Sequence, residues 1–131
     1  MKIFVTGGSG FIGSNYIHQV LSNSDNTILN LDKLTYAGNE DNLILVSKNT
    51  RYKFINGDIC DYKLVSHLIK EFNPDYIVHF AAESHVDRSI ESPLEFVHTN
   101  IVGTTILLHS AMKYSNWREN SIKVFFFTEF Y

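Results

Sequence analysis

Cysteine and proline are both scarce in this chain of 131 residues. Cys60 is its one cysteine, so no internal disulfide can form and a reducing compartment is expected. No apolar run approaches the roughly 18 residues of a membrane-spanning helix, and the first strand pattern starts at once, without a signal-peptide pattern. We therefore expect a cytoplasmic protein with no membrane partner.

The sequence also has no strong excess of one charge, and its histidines lack the spacing of metal ligands. The formal net charge is −3 and the basic residues are scattered, which argues against a nucleic-acid partner. Hydrophobic residues make up 44% of the chain and charged residues 19%, as in globular proteins with one domain and one core. No histidine has metal-ligand spacing with the cysteine or with paired carboxylates, so no metal site is predicted and His79, inside a strand pattern, is read as a core residue. The histidines are His18, His67, His79, His85, His98 and His109.

Glycine, by contrast, is concentrated near the start of the chain, between an apolar run at residues 3–5 and a helical pattern. Gly8, Gly10 and Gly13 fit G-x-G-x-x-G. Gly7, Gly10 and Gly13 fit G-x-x-G-x-x-G. Gly7 can turn the chain tightly, Gly10 leaves room for a pyrophosphate, and Gly13 lets the helix pack close to the strand. The pattern indicates dinucleotide binding at a helix N-terminus; the alternative is a glycine-rich turn that binds nothing.

An acidic residue follows the second strand pattern where a dinucleotide site requires one. This strand spans residues 27–31 and is followed by Asp32, close to the ~20-residue offset at which a carboxylate binds the ribose hydroxyls of NAD. Because a carboxylate repels a 2′-phosphate, the sequence predicts NAD rather than NADP. The other interpretation of Asp32 is a helix cap or a turn residue.

Strand and helix patterns alternate along the whole chain. Strands are predicted at residues 3–5, 27–31, 52–55, 75–80 and 122–127, with a helix after the glycine turn, a short helix at 42–48, a helix from the N-cap Asp61 to Pro74, and a long helix from Pro93 to Tyr114. This alternation predicts an α/β fold, a Rossmann-type doubly wound parallel sheet with strand order 3-2-1-4-5. Ligands then lie beyond the carboxyl ends of strands one and four.

The helices carry further local predictions. Ser92 and Glu95 form a capping-box pattern, with Pro93 at the first helical position. Gly103 costs ~1 kcal/mol relative to alanine inside a helix, which indicates the close approach of another element. Helical spacing predicts three buried faces: Ile12, Tyr16, Ile17, Val20 and Leu21 in the first helix, Leu43, Ile44 and Val46 in the short helix, and Leu94, Val97, Ile101, Thr104, Leu108 and Ala111 in the long one.

Three segments together resemble one enzyme family. They are residues 32–39 (Asp-Lys-Leu-Thr-Tyr-Ala-Gly-Asn), 57–59 (Gly-Asp-Ile) and 79–90 (His-Phe-Ala-Ala-Glu-Ser-His-Val-Asp-Arg-Ser-Ile). Over residues 1 to about 125 the chain resembles the dTDP-glucose 4,6-dehydratases, which are extended short-chain dehydrogenase/reductases of nucleotide-sugar metabolism. UDP-galactose 4-epimerases share the glycine turn and Asp32 but not the third segment, so another nucleotide-sugar epimerase or dehydratase of the family is the alternative.

The resemblance implies an NAD-dependent lyase that converts dTDP-glucose to dTDP-4-keto-6-deoxyglucose and water. It implies cofactor contacts for Gly7, Gly10, Phe11, Ile12, Gly13, Asp32, Lys33, Leu34, Thr35, Asp58, Ile59, Phe80, Ala81, Ala82, Glu83, Ser84 and Thr99, and substrate contacts for Ser84 and His85. Asp58 follows a strand, where its carboxylate can accept from an adenine amino group. Ala81 and Ala82 are small, as a backbone beneath a cofactor requires. Phe80 is equally well read as a core aromatic, and Thr99 as a helix residue without a ligand.

The family's catalytic residues are the part that this sequence does not match. The family uses a tyrosine, with a lysine four residues on, to remove the proton of the sugar 4-hydroxyl while NAD takes the hydride; no tyrosine here has that lysine. Near the fifth strand only Thr128 and Glu129 are candidates for the family's acid/base set, and no catalytic set is intact. We expect residues 1–131 to be the NAD-binding part of a dehydratase, truncated after the fifth strand, without its substrate domain and inactive alone.

Two other functions stay open at this point. The chain could be a nucleotide-binding remnant without turnover, or an interaction protein that uses its long helix. The resemblance also implies pairing through helices on this side of the sheet, so a homodimer through the helix from Pro93 to Tyr114 is expected.

Overall fold

The sheet has five parallel strands in the order β3-β2-β1-β4-β5, as the alternating pattern predicts. The computed structural model describes residues 1–35, 38–84, 90, 92–115 and 122–126. The strands are β1 (Lys2–Thr6), β2 (Thr27–Asp32), β3 (Tyr52–Asn56), β4 (Tyr76–His79) and β5 (Lys123–Phe126). The helices are α1 (Phe11–Asn23), a 3₁₀ helix (Glu40–Val46), α2 (Tyr62–Phe72), α3 (Pro93–Val97), a π segment (His98–Gly103) and α4 (Thr104–Tyr114).

The register brings the ends of the central strands to one edge. Thr6 at the end of β1 pairs with Leu31 on one side and with His79 on the other. Asp32 pairs with Asn56 at the end of β3. Because all the strands run the same way, the glycine turn, Asp32 and the loop after β4 leave the sheet at the same edge.

The two faces of the sheet carry separate apolar clusters. One cluster packs α2 and α4 against the sheet and comprises Phe4, Leu29, Leu31, Ile59, Val65, Ile69, Ile77, Leu107 and Ala111. The other packs α1 and the 3₁₀ helix against the opposite face and comprises Ile3, Val5, Ile17, Leu21, Ile28, Leu43 and Val78. Both faces of the central strands are therefore buried, which explains their continuous apolar runs.

Two helix ends are fixed by side chains. The carboxylate of Asp61 accepts the backbone N–H of Leu64 at 3.0 Å, which confirms Asp61 as the N-cap of α2. At the end of α1, the guanidinium of Arg51 donates to the carbonyl of Leu21 at 2.8 Å and to the carbonyls of Ser24 and Asn26. A cation there satisfies the last carbonyls and opposes the negative end of the helix dipole.

Three local predictions were wrong. The short helix is a 3₁₀ helix that begins at Glu40 rather than at residue 42, and its Ile44 is 63% exposed because 3₁₀ spacing carries that side chain away from the buried Leu43. Ile12 lies on the exposed first turn of α1, outside the buried face formed by Ile17 and Leu21. Ser92 precedes α3, but its side chain makes no capping hydrogen bond.

The long helix differs most from its prediction, because α3 has no buried residue and the π segment after it interrupts the α-helical spacing. The predicted face includes Leu94, 82% exposed, and Ile101, 58% exposed; Val97 and Leu108 are exposed as well. The wider turn of a π segment shifts the residues that follow it around the helix axis, and the side that is buried comprises Gly103, Leu107, Ser110 and Ala111. Of the predicted face only Ala111 is fully buried.

Gly103 confirms the close approach that its position predicts. A Cβ built on Gly103 would lie 2.5 Å from Cδ1 of Ile59 and 3.3 Å from the sulfur of Cys60. The π segment is therefore pressed against the turn that follows β3. None of the helices in the part of the chain that the structure describes has both the length and the apolar character needed to cross a bilayer.

Candidate functional site

The glycine turn joins the end of β1 to both α1 and the loop after β4. Gly7 has a φ of +71°, in the left-handed region that glycine adopts without strain. A Cβ on Gly7 would lie 2.4 Å from the backbone nitrogen of Ala81, and one on Gly13 would lie 2.5 Å from the carbonyl oxygen of Gly7. The turn therefore has no space for side chains at these two positions, which is the packing that the glycine spacing predicts.

A buried asparagine that the sequence analysis missed holds this turn in place. Asn30 is fully buried in β2; its Oδ1 accepts the N–H of Gly8 at 3.1 Å, and its Nδ2 donates to the hydroxyls of Ser9 and Tyr52. All of its polar groups are thus partnered, as burial demands. The signal was a polar residue in the middle of an apolar strand.

Asp32 lies at the mouth of the turn. Its Oδ2 accepts the N–H of Ser9 at 2.8 Å and its Oδ1 accepts the N–H of Leu34 at 2.9 Å. These bonds fix the carboxylate, and each of its oxygens keeps acceptor capacity for a further donor. Leu34 has a φ of +54°, an unusual conformation for a residue with a branched side chain, so the chain bends sharply directly after Lys33.

Lys33 and Asp58 form an ion pair beside Asp32. Lys33 Nζ lies 2.7 Å from Asp58 Oδ2, with the two side chains 61% and 32% exposed. Asp58 Oδ1 also accepts the N–H of Cys60 at 2.8 Å. Burial pushes the pKa of Asp58 upward, but the hydrogen bond from Lys33 and the one from the Cys60 backbone outweigh it and leave that pKa below its ordinary value. The hydrogen bond to Asp58 in turn raises the pKa of Lys33.

The loop after β4 is held by one amide of the π segment. Asn100 Oδ1 accepts the N–H of Glu83 at 2.8 Å, and Asn100 Nδ2 donates to the carbonyl of Glu83 at 2.8 Å. The two bonds imitate the pairing of one backbone unit with another. Phe80 donates its N–H to the carbonyl of Thr6, and its ring lies 5.5 Å from that of Tyr16. Asn100 was also absent from the residues predicted from sequence.

A cleft of about 110 Å³ collects most of the predicted cofactor residues. We call its two flanks the β2 side (Gly10, Asp32, Lys33, Thr35, Asp58 and Ile59) and the β4 side (Phe80, Ala81, Ala82, Glu83 and Thr99). Gly7 lies between them, and Leu31, Gly38 and Gly57 complete the lining. The volume is below the ~300–1,000 Å³ of a typical closed ligand pocket, so the described residues form walls along which a larger ligand would extend.

Several predicted residues lie elsewhere. Phe11, Ile12, Gly13, Leu34 and Ser84 do not line the cleft; Phe11 and Ile12 begin α1, where N–H groups have no intrahelical partner. His85, Thr128 and Glu129 are outside the residues that the structure describes, so their predicted roles stay predictions.

His79 is buried, whereas Cys60 is half-buried. The ring of His79 lies between the hydroxyls of Thr6 and Thr104, and burial lowers its pKa to about 4, which confirms it as a partnered core residue. Burial, and after it the Asp58 carboxylate, raises the pKa of Cys60 to about 11. Over the described ranges, no three His, Cys, Asp or Glu residues are grouped as a metal site would need.

Comparison with known proteins identifies the family. A family model described as GDP-mannose 4,6 dehydratase matches residues 4–128. The chain belongs to this family. Among curated proteins, a dTDP-glucose 4,6-dehydratase of Escherichia coli is 53% identical over 114 residues, which are 87% of this chain and 32% of that enzyme. The chain thus spans about a third of the length of the relative that it matches.

Solved structures of the family match most of the chain. A dTDP-glucose 4,6-dehydratase from Streptomyces venezuelae, with NAD and TYD bound, is 44% identical with a TM-score of 0.82 and covers 87% of this chain and 36% of its own. One from Bacillus anthracis, in complex with NAD, is 39% identical with a TM-score of 0.81 and covers 96% of this chain and 36% of its own. The predicted fold and the resemblance to dTDP-glucose 4,6-dehydratases are confirmed.

Proposed function

We propose that residues 1–131 form the NAD-binding domain of a dTDP-glucose 4,6-dehydratase. The observation that carries the proposal is the position of Asp32, whose carboxylate is fixed by hydrogen bonds to the N–H groups of Ser9 and Leu34 at the mouth of the glycine turn. The two similar structures named above contain NAD. The pairing of a glycine turn with an acid at the end of β2 is the arrangement that recognises an adenosine diphosphate.

The residues of this chain divide the binding of NAD between them. Free N–H groups at the start of α1 would bind the pyrophosphate, and Asp32 would accept hydrogen bonds from the adenosine ribose. Asp58 and Ile59 would flank the adenine. The loop of the β4 side would pass beneath the rest of the cofactor, with Thr99 facing it from the π segment. When bound, NAD supplies the hydride acceptor for oxidation at the sugar.

Catalysis is not expected from this chain by itself. The sequence has no tyrosine with a lysine four residues on, so it offers no base of the family's kind for the sugar 4-hydroxyl. We expect no 4-keto-6-deoxy product when the chain is incubated with dTDP-glucose and NAD. Formation of that product would show that other residues provide the base.

Calorimetric titration with NAD tests the binding function. We expect saturable binding by the wild-type chain and, for Asp32→Asn, a Kd at least tenfold higher, equivalent to about 1.4 kcal/mol, because the charged acceptor is lost. Asp25→Asn is the matched control, since Asp25 is exposed in the connection between α1 and β2, at the edge opposite the cleft. Absence of NAD binding by the wild-type chain would overturn the proposal and favour an interaction protein.

The exposed apolar face of the long helix supports a further part of the proposal, self-association. Leu94, Val97, Ile101, Leu108 and Met112 are exposed, and several large apolar side chains exposed along one helix favour association. We expect a dimer by sedimentation equilibrium and a monomer for Ile101→Glu. A monomeric wild-type chain would contradict this part and leave NAD binding untouched.

A further inference from the structure

The β2 side of the cleft contains a cation where a dinucleotide carries its adenosine ribose. Lys33 directly follows Asp32, and both residues line the cleft. Where nucleotide-binding sheets of this kind accept NADP, a basic residue near the acidic position holds the 2′-phosphate. Lys33 thus lies where its ammonium could bind the 2′-phosphate of NADP, although Asp32 favours NAD.

This cation is already neutralised by an anchored partner. Lys33 Nζ lies 2.7 Å from Asp58 Oδ2, and Asp58 is itself held by the Cys60 N–H at 2.8 Å. The partner therefore cannot follow Lys33 toward a ligand without losing a hydrogen bond of its own. Lys33 is also the only basic residue among the described residues that line the cleft, against the carboxylates of Asp32, Asp58 and Glu83.

We propose that Asp58 determines cofactor specificity by sequestering the Lys33 ammonium, so that NADP finds no free cation among the described residues that line the cleft. Asp32 repels the 2′-phosphate, and the Lys33–Asp58 ion pair withholds the counter-charge that could offset this repulsion. A 2′-phosphate carries between one and two negative charges near neutral pH, so its binding depends on such a counter-charge. The inference rests on the proposed NAD site and adds the origin of its discrimination against NADP.

The test is a double-mutant cycle read as the ratio of the Kd for NADP to the Kd for NAD. The full chain is titrated with each dinucleotide as wild type, Asp58→Asn, Lys33→Met and the double variant. We expect Asp58→Asn to lower the ratio up to about fivefold, because Lys33 is released from a partly exposed ion pair. Lys33→Met alone should leave the ratio near its wild-type value, since that ammonium is already masked.

The double variant decides whether Lys33 mediates the effect. We expect Lys33→Met in the Asp58→Asn background to restore the wild-type ratio, and the gain of Asp58→Asn to shrink as salt screens the phosphate contact. Asp25→Asn, with the same loss of charge at the opposite edge of the sheet, should not change the ratio. Thermal unfolding of each variant verifies that it is folded.

The outcomes separate the two proposals. If the wild-type chain binds NAD and Asp58→Asn leaves the ratio unchanged, the role of Asp58 is overturned and the proposed function stands. If the double variant keeps the gain of Asp58→Asn, Asp58 acts without Lys33 and the inference is wrong. If the wild-type chain binds neither dinucleotide, the proposed function fails, and the inference fails with it.

Discussion

The two sides of the cleft are fixed by different elements of the fold. On the β2 side, the Asp32 carboxylate accepts the N–H groups of Ser9 in the glycine turn, 23 positions earlier, and of Leu34, two positions later. On the β4 side, the loop at Glu83 is held by Asn100, which lies 17 positions further along the chain in the π segment. The β2 side is therefore set by the glycine turn and the ends of adjacent strands, and the β4 side by the placement of a helix. Substitutions that separate the two sides test this difference.

Gly7 is where the two sides meet, and its substitution should have the largest effect. Gly7→Ala would place a Cβ 2.4 Å from the nitrogen of Ala81 at a φ of +71°. Left-handed strain and overpacking together predict a loss of about 3 kcal/mol in the free energy of unfolding, measured in urea. Gly38→Ala is the control, because its Cβ would come no closer than 3.1 Å, to the Asp32 carboxylate, and we expect a loss below about 1 kcal/mol. Equal losses for both would show that the turn can relax.

His79 links β1 to α4 through its hydrogen bonds with Thr6 and Thr104. Its burial predicts the next largest effect, a pH dependence of the free energy of unfolding. Burial lowers its pKa from 6.5 to about 4, so below pH 6.5 the unfolded chain binds a proton that the folded chain excludes. Stability is complete above pH 6.5 and falls as the pH drops toward 4. We expect a loss of about 2 kcal/mol between pH 7 and pH 5.

Urea unfolding at both pH values measures this loss. His67→Gln should retain it, because His67 is exposed on α2. His79→Gln should be less stable at pH 7 but should lose this part of the pH dependence. An NMR titration that places the His79 imidazole near pH 6.5 would contradict the burial of an uncharged ring.

Substitution of Asn100 should have the smallest effect, and this effect should be confined to the β4 side of the cleft. Asn100→Asp removes the donor to the Glu83 carbonyl and sets a carboxylate against that oxygen, so the β4 loop should loosen. We expect the Kd for NAD to rise about fivefold, close to 1 kcal/mol, and the Kd for 5′-AMP, which reaches only the β2 side, to stay unchanged. Asn23→Asp, exposed at the far end of α1, is the control. Equal weakening of both ligands would show that the two sides are not held independently.

The sequence predicts those features that depend on spacing along the chain. Gly7, Gly13 and Asp32 lie where their spacing requires, because a strand, a turn and the next parallel strand leave little freedom of register. The strand order follows from the same constraint. Asp61 was also correctly predicted as a cap, since a cap acts within three residues of itself.

Features that depend on tertiary placement were missed. Asn30 and Asn100 bind backbone groups distant in sequence. Asn30 stands out as a polar residue in an apolar strand, but nothing local shows which groups it binds, and Asn100 has no local pattern of its own. The buried face of the long helix was wrong because the prediction assumed α-helical spacing across a π segment. The Lys33–Asp58 ion pair joins the ends of two strands and becomes visible only once their side chains are placed.

Arg51 also determines how the two ends of helix α1 differ in charge. Its guanidinium donates hydrogen bonds to carbonyl groups at the carboxyl end of the helix. At the amino end, Gly10 provides no capping side chain and the first turn contains no acidic residue. The partial negative charge at the carboxyl end of α1, away from the cleft, is thus neutralised by Arg51. The partial positive charge at the amino end, beside the cleft, is not neutralised by an acidic side chain of the first turn. A diphosphate that binds there would meet partial positive charges that are already fixed in place, so its binding would require little reorganisation of the protein.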